Sequence, residues 1–136
     1  MKTYAIAYLA TALVFLGIDS IWLTLTASRL YKPLLGDMLA DGFNVAPAVL
    51  FYVIFIAGIV YFAIQPAFAS GSAATAALNG AILGFVAYAT YDLTNQATLR
   101  NWPVQITIAD LCWGTALSAT AATLGFIIAR HFARGV

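Results

Sequence analysis

The chain contains no glutamate, one histidine and one cysteine, and only 8% of its 136 residues are charged. Each shortage excludes something. A soluble domain is about one-quarter charged and about half apolar. Here 63% of the residues are hydrophobic, and too little polar material remains to coat a folded surface, so the composition fits lipid as the solvent. With Cys112 alone, no intramolecular disulfide can form. That residue reads as a small apolar filler in a helix. His131 has no second histidine or cysteine beside it, which argues against a zinc site and leaves an interfacial residue near the C-terminus. A net charge of +1 with no basic tract argues against nucleic acid as a partner. Gly-rich phosphate loops, nucleophile elbows and H-E-x-x-H patterns are also missing.

What the chain does have is long apolar runs. A spanning helix needs roughly 20 mostly apolar residues, and four segments qualify: 4–27, 46–65, 74–96 and 105–129. They are too long and continuous for the tilted strands of a barrel. Lys2 ahead of an apolar run resembles a secretory leader. The run is too long for one, Asp19 interrupts it, and the residues around Ser28 and Arg29 make a poor cleavage site, so it reads as a retained first span. Pro47 is tolerated in the first turn of the second span. Between spans one and two, Leu30, Leu34, Leu35, Met38 and Leu39 recur at helical spacing, with Lys32, Asp37 and Asp41 on the other side and Pro33 near the start. That pattern predicts a short interfacial helix. QPAFASGSAAT reads as a small flexible loop, and TLRNWP as a tight one with Trp102 at the membrane interface. The fold expected is all-α: a single domain over 1–136, a four-helix transmembrane bundle with that short interfacial helix. Lys2, Arg130 and Arg134 fall on one side, and Arg29, Lys32 and Arg100 on the other, so the positive-inside rule leaves orientation open. Gly80 and Gly84, then Gly114, Ser118 and Ala122, form small-residue stripes suited to close helix packing or to a homodimer contact.

All five acidic residues are aspartates, and three of them lie inside proposed spans: Asp19, Asp92 and Asp110. A charge at the bilayer centre costs about 2.5–3.5 kcal/mol on insertion scales. At 1.5 Å rise per residue, Asp19 lies roughly 12 Å from the end of its span, Asp92 roughly 6 Å from its exit and Asp110 roughly 8 Å after its start. Those three span ends share one side, so the carboxyls fall in one leaflet below the loops bearing Arg29, Lys32 and Arg100. Helical phase places Phe15, Trp22 and Thr26 on the stripe of Asp19, Tyr88 and Asn95 on that of Asp92, and Thr107, Trp113 and Gly114 on that of Asp110. A half-buried polar pocket is therefore expected, with Asp19, Asp92, Asp110, Asn95, Trp22, Tyr88 and Trp113 around a ligand, proton or cation. Arg29, Lys32 and Arg100 would contact an anion or lipid headgroup at its mouth. If a metal binds, the three aspartates are its ligands, and a divalent cation is the cofactor to consider. The bland alternative is three separately satisfied carboxylates, with Asp92 paired to Arg100 and Asp19 snorkelling to Arg29.

FLGIDSIWL, VAYATYDLTNQATLRNWP and IADLCWGT resemble the signature stretches of a small bacterial inner-membrane family, domain of unknown function 2177. The middle stretch carries Asp92, Thr94, Asn95, Arg100, Trp102 and Pro103, and the likeness covers nearly the whole chain. The resemblance implies a four-helix, multi-pass protein of the bacterial inner membrane, in contact with membrane lipids, and brings no activity or substrate with it. Three functions stay open. The first is proton- or cation-coupled transport, flipping or binding of a small or lipid-linked solute, for which a chain this small would pair with a second copy. The second is an intramembrane enzyme acting on a lipid through Asp92 and Asp110, a reading weakened by the missing glutamate. The third is an accessory subunit of a larger membrane complex.

Overall fold

The computed structural model describes residues 2–39 and 44–134, the last without its side chain. Asp41, expected on the polar side of the interfacial helix, lies outside the described residues, as does the Arg134 side chain. The rest is helical: α1 (Lys2–Thr26), a π turn (Ala27–Tyr31), α2 (Lys32–Leu35), a 3-10 turn (Gly36–Met38), α3 (Val45–Ile59), a second π turn (Val60–Ile64), α4 (Gln65–Ser70), α5 (Ala73–Thr98) and α6 (Val104–Arg134). These join into four helices long and apolar enough to cross a membrane. The fold is an all-α bundle. Large apolar side chains such as Leu9, Leu13, Ile54, Phe62, Leu78 and Ile82 face outward, as they do where lipid rather than water surrounds the protein.

The helical segment expected after span one is present as α2 and its 3-10 turn, and it continues α1 through the π turn. In that turn the Lys32 N–H reaches the Ala27 carbonyl, five residues back. One extra residue per turn shifts the helical phase of everything after it. The second span runs further than 46–65. QPAFASGSAAT is mostly helix, and the loop shrinks to Gly71 and Ser72. Two features allow this. Pro66 stands in the first turn of α4, just after the π turn, where its missing N–H is tolerated. The Phe62 carbonyl, deprived of its proline donor four residues on, instead accepts the Asn79 side-chain amide of α5 at 3.1 Å. Gly71 then ends the helix at φ 70°, with its N–H on the Ala67 carbonyl at 2.8 Å. The α5–α6 connection is tight, as TLRNWP suggests, and Asn101 supplies a left-handed residue there, at φ 60°. Cys112 faces outward from α6 instead of filling the interior.

α6 is the shared wall of the bundle, packing most extensively on α5 and next on α1. The α5–α6 contact is a meeting of small residues. A Cβ on Gly80 would lie 2.8 Å from the Ala122 Cβ and 2.8 Å from the Ser118 carbonyl. One on Gly84 would run into the Gly114 carbonyl, and one on Gly114 into the Tyr88 ring. The glycine stripes therefore serve packing inside one chain. The second span closes on α5 and α6 only through its latter half. The π turn at Val60–Ile64 and α4 touch both, whereas α3 packs mainly on α1. A core of Ala7, Ala63, Ala67, Ala121, Phe126 and their neighbours fills the closed end. At the other end α3 stands off from α5 and α6, and a cavity opens between them.

Gly84→Ala is expected to force α5 and α6 apart and to cost about 1–3 kcal/mol, the usual price of overpacking. Gly17→Ala has nothing within 4 Å of the new methyl and is expected to be neutral. Thermal unfolding of the two variants in detergent checks the difference.

Candidate functional site

The cavity has a volume of about 790 Å³, within the range of small-molecule sites. Every span contributes to its wall: Trp22 and Tyr31 from the first, Phe51 and Tyr52 from α3, Tyr88 and Tyr91 from α5, Asp110 and Trp113 from α6, with Trp102 folded in from the turn before α6. Hydrogen bonds and one ring stack link several of its polar groups. Asp19, 7% exposed, accepts a hydrogen bond from the Tyr52 hydroxyl at 2.7 Å and from the Trp113 indole N–H at 3.1 Å. The Trp113 ring stacks on Trp22, with centroids 4.4 Å apart and planes 9° from parallel. Trp22 donates in turn to the Tyr31 hydroxyl at 3.2 Å, and Tyr31 donates to Asp110. Asp110 is 8% exposed and Asp92 is fully buried. The Asp92 carboxyl lies against that of Asp110, and among the described residues neither of its oxygens accepts from any other donor.

Local sequence explains the placement. Asp19 and Trp22 are one turn apart on α1, Tyr88 and Asp92 one turn apart on α5, and Asp110 and Trp113 one turn apart on α6. Tyr31 reaches Asp110 from the end of the π turn, whose widened geometry re-aims it. Gly114 leaves room for the Tyr88 ring beside the carboxyls. At the rim, Trp102 donates to the Thr107 hydroxyl at 3.1 Å, which donates to the Gln96 carbonyl oxygen at 2.9 Å.

Of the residues expected around a pocket, the structure brings Asp19, Trp22, Tyr88, Asp110 and Trp113 onto the cavity wall. Asp92 stands behind Asp110, off the wall. Asn95 is half-buried beside Tyr91 and does not line the cavity. Lys32 does line it, whereas Arg29 and Arg100 are exposed away from it. The bland pairings of Asp92 with Arg100 and of Asp19 with Arg29 are absent among the described residues; the donors found are phenols and an indole. Among the described residues no group of three or more His, Cys, Asp or Glu side chains converges on one metal position. Asp19 therefore does not join Asp92 and Asp110 as one ligand set, because the indole and phenol groups stand between them. Sequence reasoning missed Tyr31 and Tyr52, the two phenols that hold the carboxylates. Tyr52 was within reach of it, since its seventh place in span two sets it at about the depth of Asp110.

Removing one donor from a buried carboxylate leaves charge uncompensated, at a cost of about 1.5–3 kcal/mol. Tyr52→Phe should lower stability by that amount. Tyr61→Phe, on an outward residue 63% exposed, should leave it unchanged. Thermal melts in detergent compare the two.

A family model described as a predicted membrane protein (DUF2177) matches residues 4–127. Comparison with curated proteins and with solved structures finds no match. The match runs from the start of α1 almost to the end of α6 and so takes in every residue of the cavity wall; the chain belongs to the DUF2177 family of predicted membrane proteins.

Proposed function

We propose that the protein binds a small or lipid-linked solute in this cavity and moves it within or across the membrane, coupled to a proton or a cation. One observation supports the reading above all: buried carboxyls with no basic partner among the described residues, beside a large aromatic cavity. Burying an acidic group without compensation is costly, and in membrane proteins such groups mark substrate and ion pathways. Asp92 and Asp110 face each other with Tyr31 as the donor to one of them. Two carboxyls so placed satisfy each other through a shared proton or a cation between them. That pair is the coupling element in this reading, and Asp19, held by Tyr52 and Trp113, is the acidic group of the binding site.

The bacterial inner membrane is the location that goes with this reading, and membrane lipids and a second copy of the chain are its partners. Four helices enclose a cavity open at one end, and a homodimer would complete a path. Intramembrane catalysis on a lipid fits less well, because Asp92 is shut away from the cavity in which a substrate would lie.

Proteoliposomes carrying a pH-sensitive dye test the proposal. On addition of solutes from a chemically varied panel, wild-type protein is expected to give a solute-dependent change in internal pH. Asp92→Asn and Asp110→Asn are expected to abolish it while the protein still folds. Absence of any such change in wild type, together with no saturable binding of any solute, would rule out the reading.

A further inference from the structure

Four features of the cavity narrow what it would hold, taking as given that it is a binding site. The first is the sign of its charge. Asp19 and Asp110 sit at its base with Asp92 behind them, and Lys32, the basic side chain on its wall, is exposed at the loop end. An anion would meet an acidic base with no basic side chain beside it among the described residues, whereas a cation matches that base in sign. The second is Asp92, fully buried against Asp110 with no other described donor on either oxygen. Among the described residues no basic side chain stands beside the acidic groups at the cavity's base.

The third feature is the lining. Eight of the seventeen wall residues are aromatic, and the faces of Tyr, Trp and Phe attract cations, most strongly where water is excluded. The remaining wall is aliphatic, including Leu23, Leu35 and Ile106, and suits an apolar body. The fourth is the shortage of oxygen ligands. An inorganic ion such as calcium takes six to eight oxygen ligands. Here Asp19 already accepts from Tyr52 and Trp113, and no three acidic, His or Cys groups converge among the described residues. A diffuse organic charge needs neither tight coordination nor hydrogen bonds, only carboxylates nearby and rings around it.

We propose that the cavity takes a lipophilic organic cation, with its charged centre at the end of the cavity that Asp19 and Asp110 line and its apolar body against the aromatic walls. The proposal rests on the solute-binding reading above and names the class of solute. Binding should be governed by charge at constant shape. Tetraphenylphosphonium and tetraphenylborate, nearly identical in shape and opposite in sign, are suitable probes. Titration of the purified protein in non-ionic detergent, followed by tryptophan fluorescence and calorimetry, would compare them.

Wild type is expected to bind the phosphonium saturably and at least tenfold more tightly than the borate. Asp19→Asn and Asp110→Asn should each weaken the phosphonium at least tenfold, and Ala87→Phe, which puts a ring into the cavity, should weaken it as well. Equal binding of both ions, lost in Ala87→Phe, would overturn the cation assignment and leave solute binding in the cavity standing. Phosphonium binding unchanged by Ala87→Phe, or no saturable binding of either ion, would also overturn the cation assignment; the solute panel in proteoliposomes decides the binding reading separately. The comparison of the two ions uses wild type alone, so misfolding of an aspartate variant does not remove the test.

Discussion

The contact on which everything else depends is the near-touching of α5 and α6. Gly80 and Gly84 press against Ser118 and Ala122, and Gly114 lies under the Tyr88 ring, at separations no larger residue would permit. In lipid, where apolar surfaces gain little by leaving the solvent, this kind of packing is what holds helices together. It also sets the chemistry. Bringing the two backbones so close places Asp92 against Asp110 and seals Asp92 from the cavity. A wider α5–α6 spacing would open both carboxyls to the same space.

Against that rigid pair, α1 and the second span supply the donors. Asp19 is held from both sides, by a phenol of α3 and an indole of α6. The stacked indoles carry the network across to Tyr31 and Asp110. Hydrogen bonds of this sort polarise one another and stiffen the groups they join. The cavity therefore has one ordered polar wall and otherwise apolar surroundings, the usual make-up of a small-molecule site: a few placed polar groups in a hydrophobic shell.

The four spans were readable because each apolar run exceeds the length lipid demands, and the level of the three aspartates followed from rise per residue alone. Angular position was harder. Arg29 and Arg100 are exposed and do not line the cavity, which depth arithmetic does not detect. Tyr31 was hidden because the π turn at Ala27–Tyr31 breaks the 3.6-residue period by which faces are assigned. Tyr52 lay in the one span with no acidic residue, where a phenol reads as packing. The extent of the second span was underestimated at Pro66, since no local pattern reveals that Asn79, on another helix, would take over the stranded carbonyl.

That amide has a mechanical consequence. It pins the second span to α5 at the Phe62 carbonyl, beside a turn where the backbone is already widened. The 15 residues of α3 project from this point for about 22 Å, braced chiefly by α1. The arrangement is a cantilever. A rotation at Val60–Ile64 would be magnified along that length, and the Tyr52–Asp19 bond is a contact that holds α3 against it.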